Sequence, residues 1–350
     1  MLLSIIIVNY NTFDLTCNCI RSIQDTTSIT HEIILIDNNS KDRASEDFLK
    51  LFPNIRLFTL SENVGFGRAN NYGMDRATGK YILLLNSDTV VHPNTINETV
   101  NYLETNPHID ILGCRVLVRD GTQQRTVFTY DGERSFLRTA VVLAKRNAII
   151  KEILKPIHRL IYRGKENKKE VIPNPENDLG SLTMPEITPN YYQGKRIGEL
   201  AGVFLLMKKQ VYLDSKGFDP DFFMYYEELE WFLKRLTQYN VVYYPYATIT
   251  HYYGKSDVYG AMTLNSHLSH YLFWYKMSYW HFVLFFFYNI LEIPSRIIVG
   301  ALQFKKTHFD HVSTIVRALP YVFTDIPRYS NKFGARKNML KTKSLRRSRL

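Results

Sequence analysis

The sequence predicts an α/β fold in which a mostly parallel sheet is flanked by helices. Short, nearly continuous apolar runs recur over residues 1–118, and segments with helical spacing separate them. Strands of that composition, each followed by a helix, are typical of parallel sheets covered on both faces. With 350 residues, 45% of them hydrophobic, the chain is long enough for one large domain or two ordinary ones.

The predicted strands follow one another along the first third of the chain. They are SIIIVNY (4–10), EIILID (32–37), IRLFTL (55–60), YILLLN (81–86) and IDILGCRVLV (109–118). Between the first two strands, Leu15, Cys19 and Ile23 have the i, i+4, i+8 spacing of one helix face. We therefore expect strand and helix to alternate here.

The middle of the chain interrupts this alternation. A basic, helix-like stretch and then a polar, proline-containing run over residues 119–195 predict a partly mobile insertion. Residues 199–236 then predict a strand, a short helix, a Gly-Phe-Asp turn and a helix that starts near Tyr226. We expect a first domain over residues 1–256 and a helical region with a basic tail over residues 257–350.

The charge is unevenly distributed. Of a formal net charge of +11, residues 302–350 contribute 12 Lys/Arg against 2 acidic residues, and residues 134–170 contribute 11 against 3, so the remainder is net negative. Two basic segments on a mildly acidic protein favour an anionic partner. We expect an anionic membrane surface rather than a nucleic acid.

Residues 270–304 are crowded with aromatic side chains. Polar or charged residues interrupt the segment at Lys276, His281, Asn289, Glu292 and Arg296. The longest uninterrupted piece, 282–288, is too short to cross a bilayer, and no stretch reaches the roughly 20 apolar residues that a spanning helix needs. The pattern favours helices that lie in the membrane interface, with the basic tail as a second attachment signal. The alternatives are a helical subdomain packed on the core and an oligomer contact.

The cysteines and the N-terminus predict the compartment. Cys17, Cys19 and Cys114 have no metal-binding or redox spacing, which fits a reducing cytosol. The N-terminal run lacks a basic region and is too short for a signal peptide, so it is interpreted as the first strand. The basic segments then predict a cytoplasmic protein attached peripherally to the inner face of the plasma membrane.

Three of the predicted strands end in polar residues. These ends are Asn9-Tyr10-Asn11, Asp37-Asn38-Asn39 and Asn86-Ser87-Asp88. The carboxyl ends of parallel strands share one edge of a sheet, where ligands bind in open α/β folds. The sequence therefore predicts a binding site at this edge.

Each acidic strand end has two interpretations. Asp37 could accept a hydrogen bond from a base or a ribose, or it could cap a turn. Asn86 and Asp88 could face a divalent cation that bridges a diphosphate, or they could be ordinary residues of an exit loop.

Two further segments add candidate groups. The loop over 61–79 is rich in glycine around Arg68, which could bind a phosphate, although it lacks the dinucleotide-binding spacing and by itself is more often a turn. In YYEELEWF, Glu227, Glu228 and Glu230 could complement a helix dipole, or one of them could be a general base with a raised pKa. His251 alone is more often structural.

Taken together, these segments resemble the family 2 glycosyltransferases, inverting enzymes of the GT-A fold. They resemble most the bacterial rhamnosyltransferase-like branch, which builds cell-surface polysaccharides. The matching segments come in family order over roughly residues 3 to 256: SIIIVNYN, LIDNNSKD, ENVGFGRANNYG, LLLNSD, GVFLLMKK, GFDPDFFMYYEELEWFLKR and THYYGKS.

The resemblance implies a set of donor-binding residues. The nucleotide pocket would be lined by Asn9, Tyr10 and Asn11, with Asp37 on the base. The donor's diphosphate and sugar would contact Asn63, Gly67, Arg68 and Asn70. The Asn86-Ser87-Asp88 segment lies where the family has its Asp-x-Asp motif.

The resemblance also implies the catalytic groups. Asp88 becomes the principal acidic ligand of Mg²⁺ or Mn²⁺, His251 a second ligand, and Glu228 the catalytic base. The sequence departs from the family twice, because Asn86 replaces the first Asp of the motif and Glu228 is one methylene longer than the usual Asp. Glu227 therefore stays an alternative base.

The implied reaction is metal-dependent transfer of a hexosyl-type sugar with inversion. The favoured donor is dTDP-rhamnose, with UDP-hexoses and UDP-galactofuranose as alternatives, and the expected acceptor is a glycan on a polyprenyl diphosphate. Two other functions remain open: a nucleotidyltransferase, and a non-catalytic scaffold that binds membranes or nucleic acid.

Overall fold

In a computed structural model of the chain, the described residues are 2–129, 136–162, 183–184, 197–252, 259–324 and 326. They fall into two compact units. Unit 1 lies within Met1–Tyr130, Val171–Asp219 and Glu227–Asp257. Unit 2 lies within Asp131–Glu170, Pro220–Tyr226 and Val258–Leu350. Each unit therefore combines segments that are distant in the sequence.

Unit 1 contains the strands and six of the described helices. The strands are β1 (Leu3–Asn9), β2 (His31–Asp37), β3 (Arg56–Thr59), β4 (Tyr81–Asn86), β5 (Thr89–Val91), β6 (Ile111–Val118), β7 (Gln123–Gln124), β8 (Val127–Thr129), β9 (Thr183–Met184), β10 (Ile197–Leu200), β11 (Phe204–Lys208) and β12 (Val241–His251). The helices are α1 (Phe13–Thr26), α2 (Asp47–Leu51), α3 (Phe66–Met74), α4 (Thr95–Thr105), α7 (Lys209–Ser215) and α8 (Glu227–Lys234). The five strands predicted within the first 118 residues are confirmed, with ends that differ by one or two residues.

The main sheet of unit 1 is mixed. Its order is β3-β2-β1-β4-β11-β6-β12-β5, with β7 and β9 joined at the side of β6. Strands β3, β2, β1 and β4 are parallel to one another, and so are β6 and β12. Strand β11 runs antiparallel between β4 and β6, because the chain enters it from the edge where β4 ends: the Asn86 amide donates to the Val203 carbonyl at 3.1 Å. The predicted α/β class is confirmed, and the sheet is less uniformly parallel than expected.

The central strands bury side chains on both faces. Ile5 and Ile7 of β1 pack in one hydrophobic cluster, and Ile6 between them packs in the other. Successive side chains of a strand point to opposite faces, so a run that is apolar at every position supplies two cores. The polar ends of these strands are consequently left at the sheet edge.

Unit 2 is helical in its described part. Its helices are α5 (Phe136–Arg146), α6 (Ala148–Tyr162), α9 (Tyr259–Met277), α10 (Tyr279–Gln303) and α11 (Lys306–Thr324). Helices α5 and α6, in the segment expected to form an insertion, pack against α10. Glu292 of α10 is fully buried, accepts a hydrogen bond from the Ala148 amide at 3.0 Å and pairs with Arg296 at 2.6 Å. The basic segment at the start of the insertion is thus a partner of the C-terminal helices.

Helix α10 corrects one expectation from the sequence. It is a continuous helix of 25 residues with a mean hydropathy of 1.7 over its most apolar window, so it is long and apolar enough to cross a membrane. The interruptions at Asn289 and Glu292 lie on its buried face, where Asn289 donates to the Phe285 carbonyl of the same helix and Glu292 accepts from the Ala148 amide. In the linear sequence these two residues interrupt the apolar run. In the helix they lie on the buried face, so the exposed apolar face is continuous past them. The polar run over 163–182 and 185–196 and the basic tail over 327–350 lie outside the described residues.

Candidate active site

Asp88 and His251 form the centre of the candidate site. Asp88 lies in the turn between β4 and β5, and His251 ends β12, which pairs with β5 so that His251 faces Thr89. The His251 Nε2 atom lies 3.1 Å from Asp88 Oδ1, and both residues are buried. The Tyr252 amide also donates to the Asp88 carbonyl at 2.8 Å. Strand pairing thus brings together two residues that are distant in sequence.

Gln124 contacts the other ring nitrogen of His251. The Nδ1 atom of His251 lies 2.8 Å from Gln124 Oε1, and an amide oxygen only accepts hydrogen bonds, so the Nδ1–H group donates in this contact. This hydrogen bond orients the ring that presents Nε2 to Asp88. Sequence reasoning missed Gln124, because a single glutamine in a two-residue strand carries no recognisable pattern.

This donor set fits a hard divalent cation. Two ligand atoms that bind an octahedral ion at right angles, each about 2.1 Å from the ion, lie about 3 Å from each other. The distance of 3.1 Å between His251 Nε2 and Asp88 Oδ1 is close to this value. A metal-binding histidine usually donates its other ring N–H to a hydrogen-bond acceptor that orients the ring, and Gln124 Oε1 is in that position. Among the described residues no group of three or more His, Cys, Asp and Glu is arranged to hold a metal. Two protein ligands would leave the other positions to phosphate oxygens and water.

The Asp88–His251 pair is accessible from two sides. A cavity of about 380 Å³ borders Asp88, and another of about 450 Å³ borders His251. Tyr252 lines both cavities, and Arg119 and Asp120 line the second. These volumes are in the range of small-molecule sites.

Residues 201–203 form hydrogen bonds both with the last residue of β4 and with α8. The Val203 carbonyl accepts a hydrogen bond from the Asn86 amide, and the Gly202 amide donates to Glu228 Oε1 at 3.3 Å. The Ala201 amide donates to the Thr126 carbonyl at 2.8 Å, two residues after Gln124. One short loop therefore connects Glu228 to the same sheet edge as Asp88 and His251.

Glu228 and Glu227 have different surroundings. Glu228 is partly exposed, and its burial raises its pKa above the usual range of a carboxyl group. Glu227 is only 1% exposed and packs beside Gly67. A hydroxyl that arrives from solvent can reach Glu228 but not the buried Glu227. A raised pKa also suits a group that must take up a proton near neutral pH.

Sequence reasoning also missed Glu199, an acidic neighbour of Glu228. It lies in β10, which packs against α8. Burial raises its pKa to about 8, the negative charge of Glu228 adds to the rise, and the positive charge of Arg125 opposes it. A lone acid at the start of an apolar run gave no sign of this proximity.

We expect a Glu199→Gln variant to change how stability depends on pH. Glutamine has nearly the same size as a protonated glutamate and cannot ionise. A folded pKa of about 8 lies above the unfolded value of about 4.5, so the stability that Glu199 contributes is full below pH 4.5 and is lost as the pH rises through 8. The variant should therefore gain melting temperature at pH 8.5 relative to wild type, and not at pH 4. The exposed Glu46→Gln is the control, and equal melting temperatures of Glu199→Gln and wild type at pH 8.5 would contradict the raised pKa.

Asn9 and Asp37 bind each other. The Asn9 Nδ2 group donates to Asp37 Oδ1 at 2.8 Å and to Ser40 Oγ at 2.9 Å, and the Ser40 amide donates to Asp37 Oδ2 at 3.2 Å. Both side chains are at most 3% exposed. This is the turn-capping role that the sequence left open for Asp37. Tyr10 and Asn11 are more exposed at the same edge, and Asn11 has a positive φ of 55°.

The glycine-rich loop is joined to the same edge. Asn63 Oδ1 accepts hydrogen bonds from Asn38 Nδ2 at 3.0 Å and from the Gly65 amide at 2.9 Å. Asn70 is buried and donates to the Phe66 carbonyl within α3. Asn63 and Asn70 therefore shape the entry into α3, and Arg68, in the first turn of α3, is partly exposed.

The side chain of Ser87 is also engaged within the fold. Ser87 Oγ lies 3.0 Å from Thr12 Oγ1, and Thr12 in turn bonds to Asn9. The backbone carbonyl of Asn86 accepts from Thr89 Oγ1 at 2.7 Å, and its side chain is half-buried. The structure thus gathers the predicted residues of β1, β2 and β4 at one edge, and ties several of them to one another.

Comparison with known proteins gives the family context. Residues 4–152 match the family model of glycosyl transferase family 2. The chain is 33% identical over 115 residues to an uncharacterized glycosyltransferase of Haemophilus influenzae, which covers 32% of this chain and 36% of that protein. It is 27% identical over 179 residues to the glycosyltransferase GlyG of Streptococcus pneumoniae. The aligned region covers 45% of this chain and 59% of that protein. The chain therefore spans less than two thirds of either relative.

A solved structure has the same fold. It is the mannosyltransferase PcManGT from Pyrobaculum calidifontis in complex with GDP-Man and Mn²⁺, with a TM-score of 0.50 and 13% identity. The match covers 92% of this chain and 87% of that one. The protein thus has the GT-A fold, and over residues 4–152 its sequence is similar to glycosyl transferase family 2.

Proposed function

We propose that the protein is an inverting glycosyltransferase that uses Mg²⁺ or Mn²⁺. It transfers a sugar from a nucleoside diphosphate to a hydroxyl of a glycan acceptor in cell-surface polysaccharide synthesis. The observation that carries this proposal is the Asp88–His251 pair, with its cation-sized spacing; residues 202–203 link the end of β4 beside it to Glu228, whose pKa is raised. The family 2 match over residues 4–152 supports it.

The chain's own residues then have distinct tasks. Asp88 and His251 hold the cation, which when bound offsets the charge that develops on the departing diphosphate. Glu228 accepts the proton of the acceptor hydroxyl as that oxygen attacks the anomeric carbon, and the bond to the diphosphate breaks on the opposite face. Arg68 is proposed to bind a phosphate oxygen of the donor. Tyr10, Asn11 and Asp37 are proposed to contact the nucleoside.

The donor and acceptor are proposed from the family resemblance. dTDP-rhamnose is the favoured donor, and UDP-sugars are the alternatives. The acceptor is a glycan carried on a polyprenyl diphosphate, which would present its sugar at the cytoplasmic leaflet.

A direct assay tests the proposal. Purified protein with Mn²⁺ is given each nucleotide-sugar in turn with an extracted lipid-linked glycan, and the released nucleotide and the product anomer are measured. The proposal predicts release of a nucleoside diphosphate and an inverted linkage. Release of pyrophosphate from a nucleoside triphosphate would instead indicate a nucleotidyltransferase, and no release from any donor would favour a scaffold.

We further propose that unit 2 attaches the protein to the membrane. Large apolar residues recur on one face of α10 and are exposed at Trp280, Phe287, Leu291, Ile298 and Leu302. Their spacing of seven, four, seven and four residues forms one stripe of a helix. A lipid surface is the partner that suits such a stripe next to basic sequence.

A Phe287→Ser/Leu291→Ser variant is expected to bind anionic liposomes at least about tenfold more weakly than wild type. Two large side chains would no longer be transferred from water to lipid, and each such transfer contributes about 1.5–3 kcal/mol. Co-sedimentation at low salt measures the change. Leu213→Ser replaces an exposed leucine of unit 1 and should have no effect. Equal sedimentation of both variants would argue against this surface.

A further inference from the structure

The segment 220–226 connects the proposed base to the helices of unit 2. Its residues cluster with unit 2, whereas Asp219 before it and Glu227 after it cluster with unit 1. We call this segment the approach loop, because it leads directly into α8, whose second residue is Glu228. Its conformation therefore sets where α8 begins.

Helix α9 holds the approach loop by two buried polar contacts. Lys276 Nζ lies 2.5 Å from Asp221 Oδ2, and their side chains are 10% and 7% exposed. Ser269 Oγ donates to the Met224 carbonyl at 2.7 Å, and Ser269 is 2% exposed. Residues 269 and 276 are seven apart, so both contacts come from one face of α9.

An aromatic contact adds to these two. The ring of Tyr226 stacks on that of His270, with centroids 4.6 Å apart and an interplanar angle of 17°. The Lys276 ammonium also lies 5.9 Å from the centre of the Phe222 ring. Helix α9 thus contacts the approach loop near its beginning at Asp221, in its middle at Met224 and at its end at Tyr226.

The backbone of the loop needs this support. Tyr225 and Tyr226 have φ values of 71° and 68°, in the left-handed region that bulky residues rarely adopt. Such conformations persist where surrounding contacts over-determine them. Two of the α9 contacts are made at Met224 and Tyr226, next to and at these positions, directly before the chain enters α8.

We propose that Lys276 and Ser269 of α9 are positioning residues for the proposed base: through the approach loop, they keep Glu228 where its carboxylate reaches the Gly202 amide and the acceptor. This inference rests on the proposed function. It assigns to the C-terminal region a part in the transfer step that is separate from membrane attachment.

The expected signature is a loss of turnover without a loss of donor binding. A base must lie within hydrogen-bond reach of the proton it removes, and a displacement of about 1 Å can cost about 10²-fold in rate. The proposed cation ligands Asp88 and His251 lie on β4–β5 and β12, outside the approach loop, so the affinity for a nucleoside diphosphate and Mn²⁺ should not change.

The test compares Lys276→Met with a charge exchange, Lys276→Asp/Asp221→Lys, in the full-length protein. With a detergent-solubilised acceptor, Lys276→Met should lower kcat by about 10- to 100-fold and leave the donor KM and the nucleotide Kd within about twofold. The exchange restores an ion pair and should recover most of kcat. Lys306→Met makes the same substitution at an exposed lysine of unit 2 and should behave as wild type.

Two results would overturn the proposal. One is a folded Lys276→Met protein that keeps its kcat. The other is a parallel fall of kcat, donor affinity and melting temperature that the exchange does not reverse, since that would show a structural role only. Should Lys276→Met fail to fold, Ser269→Ala, which removes one hydrogen bond without burying a charge, gives the same readout. The wild-type transfer rate is measured first, so an inactive wild-type protein counts against the proposed function, and an unaffected variant of an active protein counts against this inference.

Discussion

A Glu228→Gln variant is expected to lose about 10²- to 10⁴-fold in kcat while binding nucleoside diphosphate and Mn²⁺ as tightly as wild type. Glutamine keeps the shape of the side chain and the partner at Gly202, but it cannot take a proton from the acceptor hydroxyl. The wild-type enzyme should also lose kcat/KM as the pH falls, because burial raises the pKa of Glu228 and protonation removes the base. Steady-state kinetics over pH 5 to 9, with calorimetric titration of the nucleotide, measure both effects.

Glu227→Gln separates the two candidate bases. Glu227 is buried, so its variant should change stability more than turnover. A folded Glu227→Gln protein with a 10²-fold lower kcat, beside a Glu228→Gln protein that retains activity, would transfer the role of base to Glu227. The exposed Glu46→Gln controls for the general loss of a negative charge.

An Asp88→Asn variant is expected to lose the metal-dependent part of donor binding. Ligands that bind the native state raise its melting temperature by mass action, so wild-type protein should be stabilised by dTDP or UDP with Mn²⁺ more than by the nucleotide alone. In Asp88→Asn this difference should vanish, because a neutral amide is a much weaker ligand for a hard cation than a carboxylate. We expect the nucleotide Kd in Mn²⁺ to rise about 10²-fold.

A nearby acid provides the matched control for Asp88. Asp120 lines the cavity beside His251 but is exposed and bonded to Thr122, so Asp120→Asn should keep the metal-dependent shift. His251→Asn should behave like Asp88→Asn, since it removes the second proposed ligand. A full metal-dependent shift in both Asp88→Asn and His251→Asn would place the cation elsewhere.

The order of apolar and polar residues along the sequence predicted the buried strands of unit 1 and the edge at which they end. The apolar runs of β1, β2 and β4 bury both faces, and their polar ends had to emerge at one edge. The antiparallel direction of β11 was not predictable, since its sequence is as apolar as that of a parallel strand and only the position of Val203 beside Asn86 determines its direction. The apolar face was expected, but the spanning length of α10 as one continuous helix was missed. The expectation rested on a count of uninterrupted apolar residues, whereas helical periodicity places Glu292 and Leu291 on different faces.

The residues of the candidate site that could be predicted are those that belong to a family motif in the sequence. Asp88, His251 and Glu228 came from such motifs, and the structure brings the first two into contact. Gln124 and Glu199 act through neighbours that are distant in sequence, so no spacing could indicate them. Asn9 and Asp37 were correctly placed at the edge, but the sequence did not show that they bind each other.

The partners of Glu292 have a consequence for the order in which the chain folds. Helices α5 and α6 are made before residue 163, yet the α10 groups that they bind are added only after residue 278. A nascent chain that has just completed unit 1 therefore still carries a basic, amphipathic helical pair without the helix that covers it. An anionic membrane surface would attract that pair during synthesis. A ribosome halted after residue 256 should accordingly hold its nascent chain on anionic vesicles, and a chain that also lacks residues 136–162 should not.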